Sequence, residues 1–334
     1  MKNIWFFLVL LIFIVPSLSG DGGIIPHHYE EIYETGQTAF ITFKNNKEAL
    51  MLLVEVSGEE TEFMWLFPCP SLPEVDSANS SIFYDLAVFS APRYVKRGWE
   101  GCCESGDYYP LEDKYGGRGE DNGVDPIYNG SVGFLNYEVL YVTESESLVS
   151  YLEDNEYSVP SNAEEIFQFY INKNWNYFIA AVCDTENANW SNYGTNIQPL
   201  KISFSTNKPV YPLRISRIGS IDSEIVIYIV ANHKKIFTDA EVKFAKRIDE
   251  ETLNDLYYYY LKEFLWSGSF LTKCYAFIEK ASMDDLVLED APDNEEFREI
   301  HFYSSYPADT FILVCVFGLF WFYKKRVSKF NKLN

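Results

Sequence analysis

Hydrophobic and polar positions begin to alternate at residue 37. Gln37–Lys44 runs with period two, Ala49–Val56 is more continuously apolar, and Phe63–Phe67 reads Phe-Met-Trp-Leu-Phe. Short polar links, Asn45-Asn46 and Ser57-Gly58-Glu59-Glu60, join them, and the pattern predicts a three-strand antiparallel meander. Prolines 68, 70 and 73 are expected to stop the third strand. Ile82–Phe89 predicts a short helix ended by Ala91-Pro92. Residues 93–131 hold eight glycines and little periodicity, which predicts a long loop.

Beyond residue 131 strand and helix patterns mix. Strands are predicted at Gly133–Val142, Tyr177–Cys183, Leu200–Ser205, Pro209–Ser216, Glu224–Ala231, Ala240–Ala245, Phe270–Ile278 and Glu299–Tyr303. The run at 225–230 is apolar throughout, as in a central strand buried on both faces. Thr143–Glu146 and Ser161–Glu164 fit capping boxes. The helices behind them carry Leu148 and Leu152, then Ile166, Phe167, Tyr170 and Ile171. Leu253, Leu256, Tyr257, Tyr260, Leu261, Phe264 and Leu265 keep helical spacing and predict an amphipathic helix of about four turns. The fold class expected is α+β: an N-terminal antiparallel β meander, a mixed α/β region with a mainly antiparallel sheet, and one C-terminal transmembrane helix.

The two ends set the expected compartment. Residues 1–19 pair Lys2 with the apolar run Ile4–Val15 and small Ser17 and Ser19, the layout of a secretory signal peptide. Near the other end, 310–323 is charge-free and apolar on every side, with Trp321 and Tyr323 at headgroup level, and counting back to Tyr306 extends the expected span to 306–323 with Asp309 near the outer headgroups. Lys324, Lys325 and Arg326 follow and flank the membrane anchor. Basic residues stay inside, so a single-pass cell-membrane protein is expected, N-terminus outside and C-terminus in the cytoplasm. The divisions are then 1–19 signal peptide, 20–92 β-rich part, 93–131 loop, 132–304 α+β part, 306–323 membrane helix and 324–334 basic tail.

Charge sharpens this picture. The 334 residues carry 27 Lys+Arg against 49 Asp+Glu, a formal charge of −22. At 47% hydrophobic residues such a chain has ample material for a core. Its acidity excludes nucleic acid as a partner, because phosphate binding requires clustered Lys and Arg. Cys315 lies in the expected span, which leaves Cys69, Cys102, Cys103, Cys183 and Cys274 as disulfide candidates. Their odd number leaves at least one thiol free or paired between molecules.

The segments Asp21-Gly22-Gly23, Gly36–Ala39, Phe63–Pro70, Tyr157–Pro160, Pro199–Phe204, Tyr211–Arg214 and Phe270–Lys273 resemble the DUF2330 family, secreted or membrane-anchored prokaryotic proteins of unknown function. The resemblance covers about Asp21 to Arg298. Many relatives open with paired cysteines near the mature N-terminus; here Asp21-Gly22-Gly23 stands there. The resemblance implies no catalytic residue.

The chemistry-bearing residues give few signals. The four histidines form no GxSxG or HExxH motif. His27-His28 beside Glu30 and Glu31 offer at most a weak transition-metal site, and the acidic stretches 119–125 and 283–290 do not fit a twelve-residue calcium loop, so no metal or cofactor is expected. Trp65 shares a strand face with Phe63 and Phe67, as core packing or as a stacking platform. Asn79, Asn129 and Asn189 open glycosylation sequons in predicted loops. The function expected is a cell-surface binding or structural module for an extracellular ligand or protein. One alternative is an extracytoplasmic hydrolase using a carboxylate pair. Another is a thiol-redox protein using Cys102-Cys103, although Glu100 and Glu104 disfavour a thiolate there.

Overall fold

The computed structural model describes residues 23–27, 32–58, 62–96, 126–132, 135–184, 199–219 and 221–303. In chain order the elements are β1 (Gly23–Pro26), β2 (Ile32–Lys44), β3 (Lys47–Gly58), β4 (Glu62–Cys69), β5 (Glu74–Ser77), α1 (Ser81–Phe89), β6 (Arg93–Lys96), β7 (Pro126–Val132) and β8 (Leu135–Tyr141). Then come α2 (Ser145–Asp154), α3 (Ala163–Asn172), β9 (Tyr177–Asp184), β10 (Leu200–Ser205), β11 (Val210–Tyr211), a 3₁₀ turn (Arg214–Arg217), β12 (Ser223–Ala231), β13 (Lys235–Ile236) and β14 (Glu241–Arg247). The last are α4 (Glu250–Asp255), α5 (Tyr259–Lys262), β15 (Phe270–Ile278), β16 (Leu286–Val287), β17 (Glu289–Asp290), β18 (Phe297–Arg298) and β19 (Ile300–Tyr303). The protein is strand-rich α+β with mainly antiparallel sheets.

Residues 1–91 and 112–297 form one compact unit. Within it a five-stranded sheet runs β1-β4-β9-β8-β7, and a larger sheet runs from β14 through β15, β12, β2, β3 and β10 to β5. Strand parity stacks them. Phe63, Trp65, Phe67 and Cys69 of β4 meet Ile41, Leu50, Ile202 and Ile227 of the larger sheet in a shared core. The opposite parity, Met64, Leu66, Phe178 and Ala180, packs on Leu148, Leu152, Phe167 and Tyr170 of α2 and α3. The far face of the larger sheet, through Phe40, Met51, Tyr228 and Phe244, packs on α1 and α5. The order of layers is thus helix, sheet, sheet, helix.

Several expectations need correction. The hairpin β2–β3 forms on Asn45 and Asn46, both left-handed at φ 54° and 58°. The third strand does not continue the meander: β4 pairs with β1 and β9 in the other sheet. Its unbroken apolar run buries both faces, which an edge strand beside β3 could not do. Pro68 does not stop it, because β1 pairing ends at Leu66 and β4 has one neighbour beyond that point. The capping boxes do not form: α2 and α3 begin behind Glu144 and Asn162, neither with a side-chain cap. Pro209–Ser216 gives only the two residues of β11 and a 3₁₀ turn. The four-turn helix at 253–265 is two short pieces, α4 and α5, broken where Leu256 and Tyr258 are extended. Asp85 of α1 accepts the Tyr260 and Leu261 N–H groups at 3.1 and 3.2 Å, so a tertiary cap starts α5 there.

Residues 92–111 and 298–334 form a second unit. In it β6 and β19 pair in parallel, Arg93 with Ile300 through Lys96 with Tyr303. No helix among the described residues is long and apolar enough to cross a membrane. The expected signal peptide at 1–19, the expected anchor at 306–323 and the tail with Lys324, Lys325 and Arg326 lie outside the described residues.

Candidate ligand-binding site

A cavity of about 370 Å³ opens on the helix-facing side of the five-stranded sheet. The sheet sets its chemistry by register. Across one row Asn136 of β8 faces Val182 of β9 and then Met64 of β4; across the next, Glu138 faces Ala180 and then Leu66. Each row therefore passes from polar at β8 to apolar at β4. The small Ala180 leaves room that α2 and α3 do not fill.

The end of α2 supplies the wall. Asn155 closes the helix, its Nδ2 donating to the Tyr151 carbonyl at 2.7 Å, and Glu156 takes a left-handed φ of 66°. That turn brings Tyr157 back under the helix, its N–H on the Leu152 carbonyl at 3.0 Å. The Tyr157 ring meets His27 edge-on at 5.3 Å. Tyr151 Oη donates to Glu138 Oε2 at 3.0 Å. Burial, with the Glu138 carboxylate beside it, pushes the Tyr151 phenol well above its ordinary range. Burial and the charge of Glu62 do the same to Tyr157. Both phenols therefore stay neutral donors at physiological pH. Asn129, Asn136 and Asn155 add amide donors and acceptors around the same cavity.

This set can hold hydroxyl groups and can stack a ring face, but it does not assemble an acid–base pair. Glu138 is its single lining carboxylate among the described residues, and no histidine, cysteine, lysine or arginine lines it. The volume falls in the range of small-ligand sites.

The residues singled out by sequence are scattered. Trp65 is 2% exposed and lies between the sheets, which makes it a core side chain rather than a platform. Cys69, Cys183 and Cys274 are buried on β4, β9 and β15, with no disulfide among the described residues. Cys69 lies opposite Tyr177 on β9, and Phe63 lies opposite Cys183, so the two sulfurs sit at opposite ends of that strand pair. Cys102 and Cys103 lie outside the described residues, as does Asn189. Asn79 is exposed just before α1, with its Oδ1 accepting the Ser81 N–H at 2.9 Å. Asn129 stands on strand β7, opposite Glu138, rather than in a loop. Among the described residues no three His, Cys, Asp or Glu side chains gather as a metal site. In the 283–290 stretch, Asp284 accepts from Nε and Nη2 of Arg214 at 2.8 and 2.9 Å, and Asp285 accepts from Tyr170 Oη at 2.7 Å. The Arg214 guanidinium holds the Asp284 carboxyl below its ordinary range.

Sequence reasoning missed two features. The cavity residues come from five elements, β4, β7, β8, β9 and the end of α2, none with a motif. Glu48 is fully buried beside Cys69, its Oε2 accepting the Val210 N–H at 2.9 Å and its Oε1 without a partner among the described residues. The only signal for it was a carboxylate directly before the apolar run Ala49–Val54 of its strand.

Comparison with known proteins adds one family and no activity. The crystal structure of baculovirus P35 is 10% identical, with a TM-score of 0.33, over 82% of this chain and 98% of that one. No curated protein matches the sequence. The family model described as an uncharacterized protein conserved in bacteria matches residues 15–279, and the chain belongs to that family, DUF2330.

Proposed function

We propose that the protein is a membrane-anchored extracytoplasmic binding module whose cavity takes a neutral, polyhydroxylated ligand, a saccharide in chemical class. The observation that carries this reading is the polar part of the lining: three asparagine amides, the neutral phenols of Tyr151 and Tyr157, and one carboxylate hydrogen-bonded by Tyr151. Amides and phenols match the paired donor and acceptor character of sugar hydroxyls, and the apolar floor of Met64, Ala180 and Val182 accepts a ring face. Among the described residues, anionic ligands find no lysine or arginine on these walls. The hydrophobic leader and the basic-flanked apolar segment support delivery across, and anchoring in, the cell membrane.

Isothermal titration of the full purified chain with a panel of mono- and disaccharides tests the reading. At least one neutral sugar is expected to bind, and Asn136→Ala with Tyr151→Phe is expected to weaken it by tenfold or more. Undiminished binding to that double variant would remove the cavity from the account. Turnover of a glycoside by the protein would favour the hydrolase alternative instead.

A further inference from the structure

A second cleft, about 680 Å³ and on a different part of the same compact unit, has the features of a strand-accepting groove. The starting observation is register. All nine residues of β15 pair with β12, from Ser223 opposite Ile278 to Ala231 opposite Phe270. On its other side β15 pairs with β14 only as far as Glu241 opposite Tyr275. Among the described residues the last three, Ala276, Phe277 and Ile278, therefore pair on one edge alone. They line the cleft, and so do Leu286 and Val287 of β16, whose single strand partner among the described residues is β11. Two incomplete strand edges thus border one groove. Open edges of this kind template the backbone of another chain.

The side chains indicate which chain. Phe277 is 56% exposed and Val287 40% exposed, so apolar surface is left uncovered beside the open edges. Asp239, Glu279, Asp284, Asp285 and Glu289 rim the cleft, with no lysine or arginine among its described lining residues. Three of these acids are compensated from outside it: Asp284 by Arg214, Asp285 by Lys173 and Glu289 by Lys208. Asp239 and Glu279 have no ion-pair partner among the described residues. We infer that this groove binds an extended basic segment of a partner protein. The segment adds as a strand along Ala276–Ile278, sets apolar side chains on Phe277 and Val287, and places Lys or Arg against Asp239 and Glu279. A second copy of this chain suits the groove poorly, because edge-to-edge pairing would bring the same uncompensated acids together.

The test uses the full chain and three acetylated seven-residue peptides. The first alternates Val and Lys; the second alternates Val and Glu; the third is the first with proline at its centre, which removes a backbone donor. The Val-Lys peptide is expected to bind, to slow amide exchange within 276–278, and to release at high salt. The Glu and proline peptides are expected not to bind. Asp239→Asn with Glu279→Gln, both exposed positions, is expected to weaken the Val-Lys peptide about 3–10-fold while the exchange pattern of the free protein is unchanged. Equal binding of the Val-Glu peptide, or binding without added protection at 276–278, would overturn the proposal. Concentration-dependent self-association that protects these amides would assign the edge to a second copy and overturn it equally.

Discussion

Replacing Trp65 by alanine separates a core side chain from a displayed one. The ring is 2% exposed, stands opposite Ala181 on one neighbouring strand and Ile24 on the other, and tilts against Phe67 at 5.8 Å. A buried tryptophan removes about 150–250 Å² from water, worth roughly 4–6 kcal/mol at ~25 cal/mol per Å². The alanine methyl keeps part of that burial. Removing the ring also removes the indole N–H, which is buried without a hydrogen-bond partner among the described residues and carries a penalty of about 1–3 kcal/mol. The cavity left between two packed sheets relaxes poorly and adds cost. The net expectation is a loss of ~3–5 kcal/mol. Urea unfolding followed by far-UV circular dichroism gives the value, because the backbone signal does not depend on the deleted fluorophore. Trp65→Phe is expected to cost less than half as much, since it keeps most of the apolar area and removes the orphaned donor. A loss below ~1 kcal/mol for the alanine variant would show a ring outside the core and restore the platform reading.

Three further outcomes are expected. Burial pushes the Glu48 carboxyl well above the ordinary carboxylate range, so the unfolded chain releases this proton first as pH rises. The resulting stability is complete below about pH 4 and is lost as pH climbs through the folded value, at about 1.4 kcal/mol per unit of elevation. Glu48→Gln should flatten the fall in urea midpoint as pH rises above the ordinary carboxylate range, and identical slopes in both proteins would refute the assignment. Asp85→Ala strands the Tyr260 and Leu261 amides and should cost about 2 kcal/mol. Faster hydrogen exchange at Leu261 is the local readout, and unchanged exchange would deny the cap its role. Protease added outside intact cells should digest the bulk of the protein and spare 324–334; a protected bulk with a digested tail would reverse the proposed topology.

Much of the secondary structure follows from local pattern. Leu200–Ser205 and Phe270–Ile278 have the bounds that their alternation predicts, and the Asn45-Asn46 turn sets the β2–β3 hairpin without help from the rest of the chain. Leu148, Leu152, Ile166, Phe167 and Tyr170 face a core as their spacing requires. Family membership was also legible, from short segments spread along the chain, and the family model matches residues 15–279. What local pattern did not contain was partner choice. Phe-Met-Trp-Leu-Phe predicts a strand equally well beside β3 or between β1 and β9, and only the need to cover both of its apolar faces selects the second. The helical spacing at 253–265 carries no mark of the break, since the break is set by a carboxylate 170 or more residues earlier in sequence. The two clefts belong to the same class. One is where Asn136, Glu138, Tyr151 and Asn155 converge from a strand and a helix end; the other is where β14 stops three residues short of β15. Periodicity reports which face of an element is apolar, but a site is made by which elements meet, and that is decided by long-range burial and register.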